Sequence, residues 1–125
     1  MNTAPHDAAR IADHYIAVWN ETDAERRLAL LETHWTADAR YVDPIMQGNG
    51  RTQISDLVGG VHQRYPGFRF KLKGQADAHG DHLRFSWTLG PSGAEDLIEG
   101  TDFVQLEAGR LQSVTGFLDK VPVGA

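Results

Sequence analysis

The chain has 125 residues, of which 41% are hydrophobic and 23% charged, a composition that excludes a disordered, collagen-like or repeat protein. It has no cysteine, so disulfides, thiolate nucleophiles and thiolate metal sites are excluded, and the chemistry fits a cytoplasmic setting. Twelve Lys and Arg against seventeen Asp and Glu give a net charge of -5, which argues against a nucleic-acid backbone as the main partner.

The N-terminal MNTAPHDAAR lacks the basic start and apolar core of a secretory signal, and no apolar run approaches the roughly 20 residues of a membrane span. A single domain over residues 1–125 is the expectation. Ile11, Tyr15, Val18 and Trp19 recur at i, i+4, i+7 and i+8, which predicts an amphipathic helix starting near Pro5. Thr22 with Glu25 has the spacing of a capping box, and Leu28, Leu31 and Trp35 then mark one side of a second helix.

A short strand, Ala39 to Val42, ends at Asp43-Pro44. The turn Gly48-Asn49-Gly50 leads into a third helix through Ile54, Leu57, Val58, Val61 and Tyr65, stopped by Pro66-Gly67. Gly59-Gly60 inside that helix costs on the order of 1 kcal/mol per glycine, which suggests a close backbone approach. The period then changes to two: Phe68, Phe70 and Leu72 alternate with Arg69, Lys71 and Lys73, and Leu83, Phe85, Trp87 and Leu89 with Arg84, Ser86 and Thr88. Runs from Leu97 to Leu106 and from Arg110 to Leu118 complete four strands with hairpin-length connections. Helices first and a meander afterwards indicate an α+β domain with helices on one face of a curved sheet.

Asp43 is the first candidate for chemistry. Strand alternation puts it on the face of Ala39 and Tyr41, and Pro44 stiffens the backbone behind it. Facing an apolar cavity, its carboxyl would become a proton carrier; as a turn residue it would bond nearby backbone groups. Tyr15 is either a core tyrosine or a donor to a developing oxyanion. Asp102 and Val104 share one face of their strand, Thr101 and Phe103 the other, and alternation does not say which face is inside. The candidate pocket wall comprises Trp19, Tyr41, Val58, His62, Phe85, Trp87, Phe103 and Phe117. The six histidines make no metal constellation, and His79 with His82 flanks a hairpin tip without a third ligand. Arg64, Arg69, Lys71 and Lys73 are read as the solvated edge of a strand in preference to an anion site.

Together HYIAVWNETD, ARYVDP, GNGRTQI and GTDFVQLEAGRLQSVTGFLD resemble the nuclear-transport-factor-2-like superfamily, in its SnoaL-like branch, over nearly the whole chain. The resemblance implies a cone-shaped α+β fold, three helices on a curved, mostly antiparallel sheet enclosing a pocket. It also implies a homodimer through the outer sheet face, a small-molecule ligand, and no metal or organic cofactor. By resemblance to ketosteroid isomerase, Asp43 is the general base and Tyr15 an oxyanion donor. The third member of that site matches Asp102 if the next hairpin is one residue shorter, and otherwise Thr101. Two functions follow: an enzyme moving a proton on a small apolar carbonyl compound, or a module that binds a ligand or scaffolds a dimer without turnover.

Overall fold

In helix α1 (Pro5–Asn20), Ala8, Ile11, Ala12, Tyr15, Val18 and Trp19 are buried, the stripe that the sequence spacing marks out. The computed structural model describes residues 5–94 and 96–122, except the side chains of residues 5 and 6. Helix α2 (Ala24–His34) is capped by Asp23, whose carboxylate accepts the Arg26 N–H at 2.9 Å. Thr22, expected as the cap, stands one residue too early, because aspartate fills the same role at the position where the helical dihedrals begin.

The apolar spacing that placed Trp35 on α2 misleads for a different reason. Strand β1 (Trp35–Val42) follows the helix directly, and Trp35, fully buried, is its first residue. A buried strand start and a helical i+4 position look alike in sequence. The strand is therefore longer than the four residues expected. The junction is held by Arg51, whose guanidinium donates to the Trp35 carbonyl at 2.6 Å and the Glu32 carbonyl at 3.3 Å, taking up acceptors that a helix end leaves free.

The glycine turn after Asp43 contains a short strand, β2 (Gln47–Asn49), antiparallel to β1, and Gly50 at φ 85° starts helix α3 (Arg51–Arg64). Strands β3 (Phe68–His79), β4 (His82–Pro91), β5 (Ile98–Glu107) and β6 (Arg110–Lys120) form an antiparallel meander. With β1 parallel to β6, the six-stranded order is β2-β1-β6-β5-β4-β3. Register shifts in β1, β3, β5 and β6 bend the sheet so that one face is concave, and the helices cover that face. The fold is thus the expected α+β arrangement of three helices on a curved, mostly antiparallel sheet.

Several polar ties hold helices to sheet. The Asn20 amide donates to the Phe70 carbonyl at 2.9 Å and accepts the Phe70 N–H at 2.8 Å, pinning β3 to the end of α1. Buried Arg27 donates to Ser55 Oγ at 2.9 Å and to the Glu21 carbonyl at 2.7 Å, bracing α2 against α3.

The glycine pair of α3 splits into two roles. A Cβ on Gly59 would lie 3.1 Å from the Arg27 guanidinium, so this glycine makes room for the brace. Gly60 has nothing within 4 Å of a built Cβ and sits at the rim of a cavity. Gly60→Ala should therefore raise stability by about 1 kcal/mol through helix propensity alone, read as a higher urea midpoint at unchanged slope. A lower midpoint would show that the position is under constraint.

Candidate functional site

Between α1, α3 and the concave sheet lies a cavity of about 450 Å³, predominantly apolar in its walls. Trp19 and Tyr41 rings stand 5.2 Å apart, Trp19 and Phe70 5.5 Å, Phe70 and Trp87 5.4 Å, so aromatic faces and edges form one continuous wall. Tyr15, Asp43 and Asp102 also line it.

The cross-strand register builds the polar end of this cavity. Phe85, Asp102 and Gly116 pair in one row across β4, β5 and β6, and Trp87, Gly100 and Leu118 in another. Asp102 therefore points inward and is 1% exposed. Thr101 points outward, where its hydroxyl donates to Asp119 at 2.7 Å and bonds Ser86 Oγ at 2.8 Å. Across the cavity floor, the Tyr15 hydroxyl donates to Asp102 Oδ2 at 2.5 Å.

Asp43 is both things that its sequence position allowed. Its Oδ1 accepts the backbone N–H groups of Ile45 at 2.8 Å and Met46 at 2.9 Å, an Asx turn shaped by Pro44. Its Oδ2 accepts the Tyr41 hydroxyl at 2.7 Å, and the side chain is half-buried at the cavity edge. Gly116 lies between the two carboxyl groups: a Cβ there would be 2.8 Å from Asp102 Oδ1, 3.2 Å from Asp43 Cβ and 3.4 Å from the Tyr41 hydroxyl. Two acids and the Tyr41 phenol thus converge around a position without a side chain, and the Tyr15 phenol holds the other oxygen of Asp102.

Burial pushes the Asp102 carboxyl up to about 6, the Asp43 charge adding to the rise, while the Tyr15 hydroxyl and the nearby Trp87 indole N–H oppose it. Burial, and next the Asp102 charge, hold the Tyr15 phenol well above its ordinary value. Tyr41 is raised as well, first by burial and then by the charges of Asp102 and Asp43. Both phenols stay neutral donors, and Asp102 changes charge close to neutrality.

Of the eight expected wall residues, three stand in the wall and five do not. Trp19, Tyr41 and Trp87 line the cavity. Val58 is fully buried on the inner side of α3, and Phe85 packs edge-on to Tyr15 at 4.8 Å; neither lines the cavity. His62 Nε2 bonds the Trp19 carbonyl at 2.7 Å and braces α3 to α1. Phe103 and Phe117 do not belong to the wall at all. They lie on the outer sheet face, 47% and 51% exposed, their rings 5.8 Å apart, because Asp102 takes the inward alternation of β5. Phe70, Leu57, Val61, Ile98 and Leu118 line the cavity without having been singled out, although the period-two run of β3 would have pointed to Phe70. Gly116 was missed too; a glycine inside an apolar strand was its signal. Among the described residues no group of three His, Cys, Asp or Glu side chains is placed to hold a metal ion, and the His6 side chain lies outside them.

No protein of curated function matches the chain. Among solved structures, an Agrobacterium tumefaciens protein described as a candidate isomerase of the SnoaL-like family is 44% identical, with 91% of this chain and 98% of that one covered at a TM-score of 0.88. A Kribbella flavida protein described as a candidate ketosteroid isomerase is 21% identical, covering 97% and 84% at a TM-score of 0.70. A Catenulispora acidiphila protein with a ketosteroid isomerase-like fold, solved with trimethylamine, is also 21% identical, covering 85% and 82% at a TM-score of 0.70. These last two speak to the fold alone. The SnoaL-like domain profile matches residues 12–114, and together with the Agrobacterium relative this establishes that the chain belongs to the SnoaL-like family.

Proposed function

We propose that the cavity carries out proton transfer beside the carbonyl of a small, largely apolar compound, as an isomerase, cyclase or dehydratase does. The observation that carries this reading is the meeting of two unlike carboxyl groups around Gly116: Asp102, buried and titrating near neutrality, and Asp43, half-buried at the edge. A carboxylate offers about four acceptor positions, and three donors occupy Asp43, so one remains for a substrate proton. In the step, a C–H bond next to the carbonyl breaks, the proton goes to Asp43, and the electron pair moves to the carbonyl oxygen. Tyr15 turns from Asp102 to donate to that oxygen, and protonated Asp102 supplies a second donor. Returning the proton to another carbon completes an isomerisation.

The test is deuterium incorporation from D2O into a panel of small cyclic ketones, followed by NMR. Asp43→Asn should lose about 100-fold or more in rate while folding normally, since the amide oxygen can keep the turn bonds to Ile45 and Met46. A fully active variant would exclude Asp43 as the base. One observation favours the second reading, a non-catalytic binding module: Asp43 is already tied into its own turn. That reading predicts no exchange on any ketone and equal ligand affinity in wild type and variant.

A further inference from the structure

The residues that line the cavity run from a sealed end to an open one. Tyr15 and Asp102 are 2% and 1% exposed, whereas Ile45 is 74% and Val121 52% exposed, so the mouth is rimmed in part by apolar side chains. Helix α3 passes along the same cavity. Its Asp56, Gly60 and Arg64, each exposed and about one turn from the next, line it together with Leu57 and Val61.

Arg64 stands apart from the basic residues with which sequence alone groups it. Arg69, Lys71 and Lys73 belong to β3, but Arg64 is the last residue of α3 and the one lysine, arginine or histidine among the described residues that line the cavity. No ion pair or side-chain hydrogen bond among the described residues engages it. Its Cζ lies 5.7 Å from the centre of the Tyr65 ring, and Tyr65 lines the cavity too, so an aromatic face backs the cation while its fork of N–H donors is left without an acceptor. The other charged residue of α3 at this cavity, Asp56, is about 12 Å further back along the helix at 1.5 Å per residue, out of reach of a pair and beyond the screening length of physiological salt.

We propose that Arg64 is the specificity residue for an anionic ligand: an apolar carbonyl compound with a carboxylate at the end away from the reacting carbonyl. This rests on the proton-transfer reading, which places the carbonyl at the sealed end, and it deepens that reading by naming the substrate class. The apolar body lies against Trp19, Phe70 and Trp87, and the carboxylate meets the guanidinium at the mouth, two N–H groups donating to its two oxygens. At the mouth the carboxylate stays partly in water, so little hydration is lost. The same group at the sealed end would face Asp43 and Asp102, and like charges there would expel it. Charge thus sets the direction of entry, carbonyl first. An arginine in a last helical turn also suits the negative end of the helix dipole, but that role is blind to which ligand is bound.

The probes are 5-oxo-5-phenylpentanoate and its primary amide, which share an outline and differ in charge. Calorimetry on the wild type should give at least about fivefold tighter binding of the acid, a preference that shrinks as salt is raised. Arg64→Gln should abolish the preference by weakening the acid alone, the amide changing less than about twofold, and Arg64→Lys should restore only part of it because the fork is lost. Arg26→Gln removes the same charge from a side chain that is 72% exposed and does not line the cavity, and should leave the preference intact. No preference in the wild type, a preference that survives in Arg64→Gln, or an equal loss in Arg26→Gln would overturn the inference. So would failure of the acid to bind at millimolar concentration. Deuterium uptake next to the ketone reads the proposed function separately. Uptake by both probes at equal affinity overturns the inference and spares the function; a preference carried by Arg64 without uptake keeps the anion seat and removes the proton-transfer step.

Discussion

Asp102→Asn should stabilise the folded protein by up to about 3 kcal/mol above neutral pH, and that gain should vanish below about pH 4. The Asp102 carboxyl is raised to about 6 from an ordinary 3.8, chiefly by burial. Between those two values the folded state binds a proton that the unfolded state has released, so the unfolded state binds fewer protons and stability falls as pH rises. Below the lower value both states are protonated and nothing is lost; above the upper value the full cost of a buried charge is felt. Asparagine cannot ionise, and its amide oxygen can accept the Tyr15 hydroxyl in place of Oδ2. Urea unfolding across pH 4 to 8, wild type against variant, measures the difference directly. Two curves that stay parallel would mean that Asp102 does not titrate in this range. A group that weakens the fold at working pH is one that a merely structural role does not explain, and stability given up at a site is the pattern expected where a carboxyl has a task.

Gly100→Ala should do the opposite, lowering stability by about 3 kcal/mol and the melting temperature by on the order of 10 °C. The added Cβ would lie 2.3 Å from the Trp87 ring and 2.8 Å from the Phe117 carbonyl oxygen, so one neighbour is backbone and the other a buried, rigid indole. Neither can move cheaply in a close-packed interior. The near-ultraviolet circular dichroism of Trp87 should change at the same time, because the ring loses the bed on which it lies. A melting temperature within about 2 °C of the wild type would show that the strand relaxes around the methyl group. The contrast with Gly60→Ala is instructive: the same substitution stabilises at an open helix position and destabilises under a ring.

Periodicity carried most of the architecture. The i+4 and i+7 stripe of α1 and the alternation of β3 and β4 are physical consequences of burying one face, and both are visible in a single sequence. What periodicity cannot do is choose between two faces when each holds apolar side chains. In β5 the inward row is Ile98, Gly100, Asp102, Val104 and Leu106, while Phe103 is the one aromatic in an otherwise polar outward row, so a single residue pair runs against the pattern of the whole strand. The Tyr15 phenol, 87 residues away in sequence, gives the buried carboxyl a partner that no local spacing reveals. Residues brought together only by the folded sheet, such as Asp43, Asp102 and Gly116, leave no local spacing to read. The misplaced Trp35 has the same origin at shorter range, since one residue served equally well as the last position of a helical stripe and the first of a buried strand.

The two outer strands of the sheet bear on how readily a second chain could add to its borders. An open sheet exposes unpaired backbone donors and acceptors along each border, and a second chain can add to either. On one border β2 is only three residues long, too short to template an added strand. On the other, β3 runs for twelve residues, but Arg69, Lys71 and Lys73 project from it, with the Lys71 and Lys73 side chains largely in solvent beside Asp96 and Glu99. Its register also breaks between Lys73 and Asp77, next to Gly74 at φ 73°, so no long flat segment is presented. The basic run thus lies along the outer strand β3, where charged side chains disfavour the addition of a second strand.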